Sequence, residues 1–163
     1  MARVYGTMQT ALVTCREELE VFGKTTQIDN IITVDWHMPC SFEPFLYAIC
    51  IGKTRASYNL IKKSKCFVVN FIPFTLKDAA WFCGRHSGMH HDKFKEAKLT
   101  KIESNHLDCP KIKEAIGYIE CNVINEIETG DHVIFVGEVT HQELKSDEKR
   151  LFHNGENLFM TTQ

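Results

Sequence analysis

The sequence predicts a mainly β protein with helices inserted between its strands, an antiparallel barrel in preference to alternating β-α units. Three observations carry this. Short β-branched and aromatic runs recur at residues 10–15, 31–34, 45–51 and 65–72. Two longer β-type runs, residues 116–127 and 132–144, flank Thr129-Gly130-Asp131 and read as a hairpin. Helical patterns are few and sit between strands without alternating regularly with them.

Taken in order, residues 10–15 form a first strand, a polar turn follows, and residues 20–23 form a hairpin return. Residues 25–29 read as connecting loop, and the β-branched run Ile31-Ile32-Thr33-Val34 as a strand. Pro39 and Pro44 bracket Cys40-Ser41-Phe42-Glu43, a turn-prone linker that cannot join a central ladder. A second apolar run ends at Gly52, and a helix starts near Thr54 and runs to Ser64, with Thr54 or Ser57 as its cap. Residues 65–72 have a buried-strand pattern that Pro73 stops. Thr75 then caps a helix for which Gly84 is the C-terminal signal. Residues 85–92 are a polar, His-rich loop, residues 92–98 a short helix and residues 99–103 a short strand. Cys109-Pro110 opens the section with the long hairpin, and the tail residues Leu151, Phe152, Leu158, Phe159 and Met160 dock on the barrel or on a second subunit.

The chain has 163 residues, 44% of them hydrophobic and 25% charged, which suits one domain over residues 1–163. A chain of this size buries roughly 70% of its unfolded surface, so no disulfide or metal staple is required. A formal charge of −2 gives no electrostatic reason to bind nucleic acid. No apolar run reaches the length of a membrane span, and Met1-Ala2-Arg3-Val4-Tyr5 lacks a secretory core, so a cytoplasmic protein is expected. The seven cysteines are odd in number, widely spaced and without C-x-x-C; they read as reduced thiols. Cys83, His86, His90 and His91 could be read as metal ligands, but lack zinc-finger spacing, and no metal is expected.

The chemistry gathers around residues 30–58. Lys53, Arg55 and Ser57 place two cations and a hydroxyl at the start of a helix, where unpaired amides and the dipole already favour an anion. The order strand, polar linker, strand, basic helix start suits a ligand with a flat polar head and a phosphate tail. A solvated, capped surface helix is the plainer alternative.

The motifs N-I-I-T-V-D-W, S-F-E-P, G-K-T-R-A-S-Y, F-V-V-N-F, S-G-M-H-H-D-K-F, E-C-N-V and G-D-H-V-I-F-V-G-E-V follow one another over residues 10–139. In that order they resemble the flavin reductase-like family of FMN-binding split β-barrels. The resemblance implies a Greek-key-like split barrel, FMN as cofactor and a homodimer with flavin near the subunit interface. It further implies flavin contacts at Thr33 and Ser41 and at the Val34 and Asp35 backbone, beside Trp36. Arg55 and Ser57, with Lys53, would hold phosphate. Ser87 and Lys93 would flank the flavin, Lys93 meeting phosphate or the nicotinamide cofactor. His132 would lie near the ring, offsetting negative charge there as the catalytic group. Phe45 stands where the family often has a second proline after S-x-x-P.

Cys50 is expected as a core thiol or, if it faces the flavin, a tuning group. The function implied is an FMN-dependent oxidoreductase that takes electrons from NADH or NADPH, or another reduced donor. It would pass them to free flavin, ferric complexes or a partner redox protein. The alternative is a non-catalytic FMN-binding electron carrier or flavin store. With no G-x-G-x-x-G fingerprint, any nicotinamide cofactor would bind transiently over the ring.

Overall fold

A computed structural model describes residues 6–154 and 158–162; the first five residues, read above for a secretory core, lie outside them. In chain order the elements are β1 (Met8–Gln9), β2 (Ala11–Val21), β3 (Lys24–Val34), β4 (His37–Phe42), β5 (Phe45–Gly52), α1 (Ala56–Ser64) and β6 (Cys66–Phe71). A 3₁₀ turn (Phe74–Leu76), α2 (Lys77–Arg85), α3 (Lys93–Glu96), β7 (Lys101–Glu103) and β8 (Pro110–Ile112) come next. The chain continues through β9 (Gly117–Thr129), β10 (His132–Leu144), β11 (Phe152–His153) and β12 (Phe159–Met160).

Seven strands form one antiparallel sheet in the order β3-β2-β6-β9-β10-β5-β4. Its first and last strands, β3 and β4, are joined only by Asp35 and Trp36. Three Cα–Cα steps reach about 11 Å at most, so the sheet must curl until its ends meet. The Cys50 amide donates to the Trp36 carbonyl at 2.9 Å and so carries the β4–β5 ladder into that link. The expected barrel is thus the one observed.

The barrel's two faces explain its sequence. Leu12 faces outward and Val13 inward along β2, and both are fully buried. Inside are Val13, Cys15, Ile49, Phe67, Val69 and Phe135, with Leu60 and Ile61 of α1 packed against them. Outside, Leu12, Ile31, Val68 and Ile72 are covered by Ala80 and Cys83 of α2, Phe94 of α3, Ile112 of β8 and Leu151 of the tail. A strand buried on both faces reads as a nearly continuous apolar run, as residues 66–72 do with Asn70 as their one polar side chain. The tail does dock on the barrel: Leu151 is fully buried, and β1, β11 and β12 form a small sheet.

Several boundaries differ from the sequence reading. The polar turn after residue 15 and the loop at residues 25–29 are both strand, because β2 and β3 are a single long hairpin turning at Phe22 and Gly23, which have φ of 51° and 74°. The positive φ at both positions matches the right-handed strand twist. The Cys40-Ser41-Phe42 linker is strand β4, at the edge of the sheet, where Pro39 and a bulge before Ser41 are tolerated. Thr75 lies within the 3₁₀ turn and caps nothing, and α2 runs one residue past Gly84.

Candidate functional site

A groove opens where β3 leaves the sheet, between the N-terminus of α1, the C-terminal end of α2 and the start of β10. Two adjoining cavities share Ile32 and Arg55. The wider, about 310 Å³, is lined by residues 32–36, Cys50, Ile51, Gly52, Arg55 and His132. The narrower, about 110 Å³, is lined by Asn30, Ile32, residues 54–57, residues 83–88 and Lys93.

The narrow end is built for an anion. The Gly52 carbonyl accepts from the Arg55 amide at 3.0 Å, turning the chain into α1 with Arg55 as the helix's N-cap residue in extended conformation. No side chain caps this helix, and its first turn holds no acidic residue, so its leading amides keep their donor capacity toward the cavity. Thr54 and Ser57, expected as caps, do not cap it. Ser57 is instead buried, its hydroxyl accepting from Asn30 Nδ2 at 2.8 Å. Arg55, Arg85, His86 and Lys93 line this cavity, and no carboxylate does. Among the described residues Arg55 forms no ion pair.

Lys93 is 3% exposed and donates to the Ile31 carbonyl at 2.6 Å and the Cys83 carbonyl at 2.8 Å. Burial lowers its pKa from the usual 10.5. Lys53 does not join this set: its ammonium pairs with Glu128 at 3.0 Å and lies outside both linings. The reason is local, since the Lys53 amide donates to the Asp131 carbonyl and turns its side chain toward the hairpin.

At the wide end, Thr33 Oγ1 donates to the Ala80 carbonyl at 2.5 Å, and its Cβ would lie 3.3 Å from a Cβ at Gly84, so α2 approaches closely here. The Asp35 carboxylate accepts from Thr10 Oγ1 and His153 Nδ1, both at 2.7 Å, leaving its backbone beside the groove. The register pairs His132 with Gly52 and Ile134 with Cys50. His132 therefore stands over Gly52, its ring 4.8 Å from that of Trp36, with Nδ1 on Asp131 at 2.7 Å. The His132 bond holds the Asp131 carboxyl below its ordinary pKa of 3.8. Cys50 is half-buried and lines the groove, so it is not a core thiol; burial raises its pKa, and it is no ready nucleophile.

The structure thus brings together Thr33, Val34, Asp35, Trp36, Cys50, Arg55, Ser57, Ser87, Lys93 and His132. It does not bring Ser41, which pairs with Leu46 on the edge strand and lines neither cavity. Cys83 points into the core and is 1% exposed, while His86 stacks on Phe82 at 4.1 Å. Among the described residues no group of three or more His, Cys, Asp or Glu is arranged to hold a metal. Asn30 and Gly84 line the groove without having been singled out as site residues in the sequence, whereas Gly88 lies in the segment that the resemblance set beside the flavin. A Cβ at Gly88 would fall 1.9 Å from Asn30 Oδ1, a proximity that no spacing rule reveals.

A flavin nucleotide's phosphate fits the donor set of the narrow end: an uncapped helix start, a guanidinium without a carboxylate and a buried ammonium. Two larger depressions, about 550 and 590 Å³, carry mixed charge: the first adjoins the narrow cavity at Gly88 and sets Asp29 and Asp92 beside Lys95 and Lys101, and the second sets Glu17, Glu18 and Asp108 beside Arg16.

Comparison with known proteins gives a consistent result. The model of the flavin reductase like domain matches residues 5–159. An uncharacterised protein of Archaeoglobus fulgidus is 41% identical over 112 residues, covering 69% of this chain and 63% of that one. The ferric-chelate reductase (NAD(P)H) of the same organism is 26% identical over 106 residues, 64% of this chain and 62% of that one. The matched stretch is thus less than two thirds of these relatives' length. The crystal structure of an FMN-binding protein from Thermus thermophilus superposes with a TM-score of 0.84 at 24% identity, over 97% of this chain and 88% of that one. Flavoredoxin of Desulfovibrio vulgaris gives 0.82 at 21% identity, over 99% and 91%. These likenesses establish the fold, and the domain match establishes descent: the chain belongs to the flavin reductase-like family.

Proposed function

We propose that this protein is an FMN-dependent oxidoreductase, a single domain whose groove takes the flavin phosphate at its narrow end and the ring at its wide end. The observation that carries this reading is the narrow cavity, cationic and free of carboxylates, against an uncapped helix N-terminus. Bound flavin supplies the redox chemistry by accepting electrons from NADH or NADPH and passing them to free flavin, a ferric complex or a partner redox protein.

The chain's residues do the rest. Arg55 and the first amides of α1 hold the phosphate, with Lys93 adding positive charge behind them. Backbone groups between Val34 and Trp36 meet the polar edge of the ring, and Thr33 fixes that segment against α2. His132, oriented by Asp131, offsets negative charge at the ring. A nicotinamide cofactor, or another reduced donor, would bind only transiently, since the chain has no dinucleotide-binding fingerprint to retain one.

A homodimer is part of the proposal. Met38 and Phe42 of edge strand β4 are 56% and 94% exposed, an apolar edge that a second subunit would cover. No helix among the described residues is long and apolar enough to cross a membrane, which agrees with the cytoplasmic location proposed.

The test is a spectrum of the purified protein, with chromatography of whatever heat releases from it. Absorbance bands at about 370 and 450 nm and nearly one FMN per chain are expected. Anaerobic NADH or NADPH should then bleach the flavin rapidly. Flavin that stays oxidised would indicate an electron carrier or flavin store, and a protein that takes up no FMN would end the flavin reading.

A further inference from the structure

The link between β3 and β4, Asp35 and Trp36, lies at the mouth of the groove, and among the described residues no strand of the large sheet holds the Asp35 carboxylate. Its two oxygens are taken by residues outside the large sheet: Oδ1 by the Thr10 hydroxyl and Oδ2 by His153 Nδ1, each at 2.7 Å. His153 lies 118 positions further along the chain, on β11. A carboxylate only accepts, so His153 must carry its proton on Nδ1. Both side chains are mostly shielded, 21% exposed for Asp35 and 18% for His153.

The same short tail sheet reaches the opposite wall. Phe159 pairs with His153 in the β11–β12 ladder and packs on its ring at 5.3 Å. Phe159 also meets Trp81 of α2 edge-on at 6.1 Å. That helix supplies the Ala80 carbonyl for Thr33 and the Cys83 carbonyl for Lys93. The tail therefore touches both walls of the groove without lining it.

We propose that His153 is a positioning residue for the groove: by fastening the Asp35 carboxylate to the docked tail, it fixes the Asp35 and Trp36 backbone that the ring must meet. This role rests on the flavin reading for its purpose but not for its geometry. The hydrogen bond acts on the backbone whether or not a ligand is present.

The test is amide hydrogen exchange on flavin-free full-length protein, paired with FMN titration. In H153A, exchange across residues 34–37 should rise about tenfold while the β9–β10 hairpin keeps its protection, and FMN should bind roughly tenfold more weakly. H153N should restore both, because its side-chain amide can donate from nearly the same place as Nδ1–H. Phe159→Ala loosens His153 from the other side and should give the same local pattern at smaller amplitude, which covers the case of an H153A chain that does not fold. Unchanged exchange over residues 34–37 in both alanine variants, a uniform rise throughout the barrel, or an H153N protein as loose as H153A would each overturn the proposal. Wild-type protein that takes up no FMN would defeat the flavin reading alone, and the exchange comparison would still decide the role of His153.

Discussion

Arg55 and Lys53 stand two positions apart, yet only Arg55 faces the groove; Lys53 is neutralised by Glu128. Arg55→Ala should weaken FMN binding about 10- to 100-fold, the range for losing a charge-assisted hydrogen bond, whereas Lys53→Ala should change it less than threefold. Isothermal titration of the two variants separates them. His132→Ala should leave FMN affinity within a few fold and slow flavin reduction by NADH or NADPH by at least about tenfold, read by anaerobic stopped flow. A binding loss with no rate loss would assign His132 to cofactor retention instead. Arg55's place in the groove was legible because a cation at a helix start has a physical reason to face a site for an anion. Lys53 carried the same signal and misled, because a helix-start pattern does not say which cation has found a carboxylate. Ser41 was legible only through resemblance, and the structure places it on the far edge strand.

Loops and helix ends show a similar division. The strand runs and the β9–β10 hairpin could be read directly, since Gly130 at φ 61° permits the tight turn that the sequence signals. The β2–β3 hairpin could not, because Phe22 occupies a left-handed position that normally selects Asn or Gly, and the charged outward-facing residues of β2 disguised a strand as loop. Between α2 and α3 the loop is pinned at Gly88, which abuts the buried Asn30. Asn30 is held by the Ser57 hydroxyl and the Ile31 amide, so it cannot swing aside without breaking bonds at the narrow end of the groove. Gly88→Ala should therefore destabilise the fold by about 1–3 kcal/mol and weaken FMN binding severalfold. Paired denaturant titrations and FMN titrations read both effects, and a fully stable Gly88→Ala protein would show that the contact yields.

The molecule as a whole carries buried carboxylates that tie its layers together. Glu120 is fully buried and accepts from the Asn105 and His106 amides at 2.9 and 3.0 Å and from Lys111 at 3.2 Å. Asp29 accepts from Arg16 and Lys101, each at 2.6 Å. Burial works to raise both pKa values, but these partners prevail and hold them below the ordinary 4.5 and 3.8. As pH falls the unfolded chain binds these protons first, so the stabilisation is complete above the ordinary values and disappears as pH drops through the folded ones. Acid unfolding should begin below roughly pH 4.5, and Glu120→Gln should be less stable at pH 7 while losing less on acidification, as followed by circular dichroism.

The order of strands in the sheet also bears on how the chain is made. On one side β5 pairs with β4, its immediate neighbour in sequence, but on the other with β10, which begins 80 positions after β5 ends. A growing chain thus presents β5 with one bare ladder until the last long hairpin has left the ribosome. At about 5–20 residues per second that interval is some seconds. The wide end of the groove is incomplete during it, because His132 and its support at Gly52 come together only when β10 docks. The flavin ring proposed to sit there would therefore find its full seat only after β10 has docked, and a nascent chain stalled before residue 132 would expose an adhesive strand for chaperones to cover.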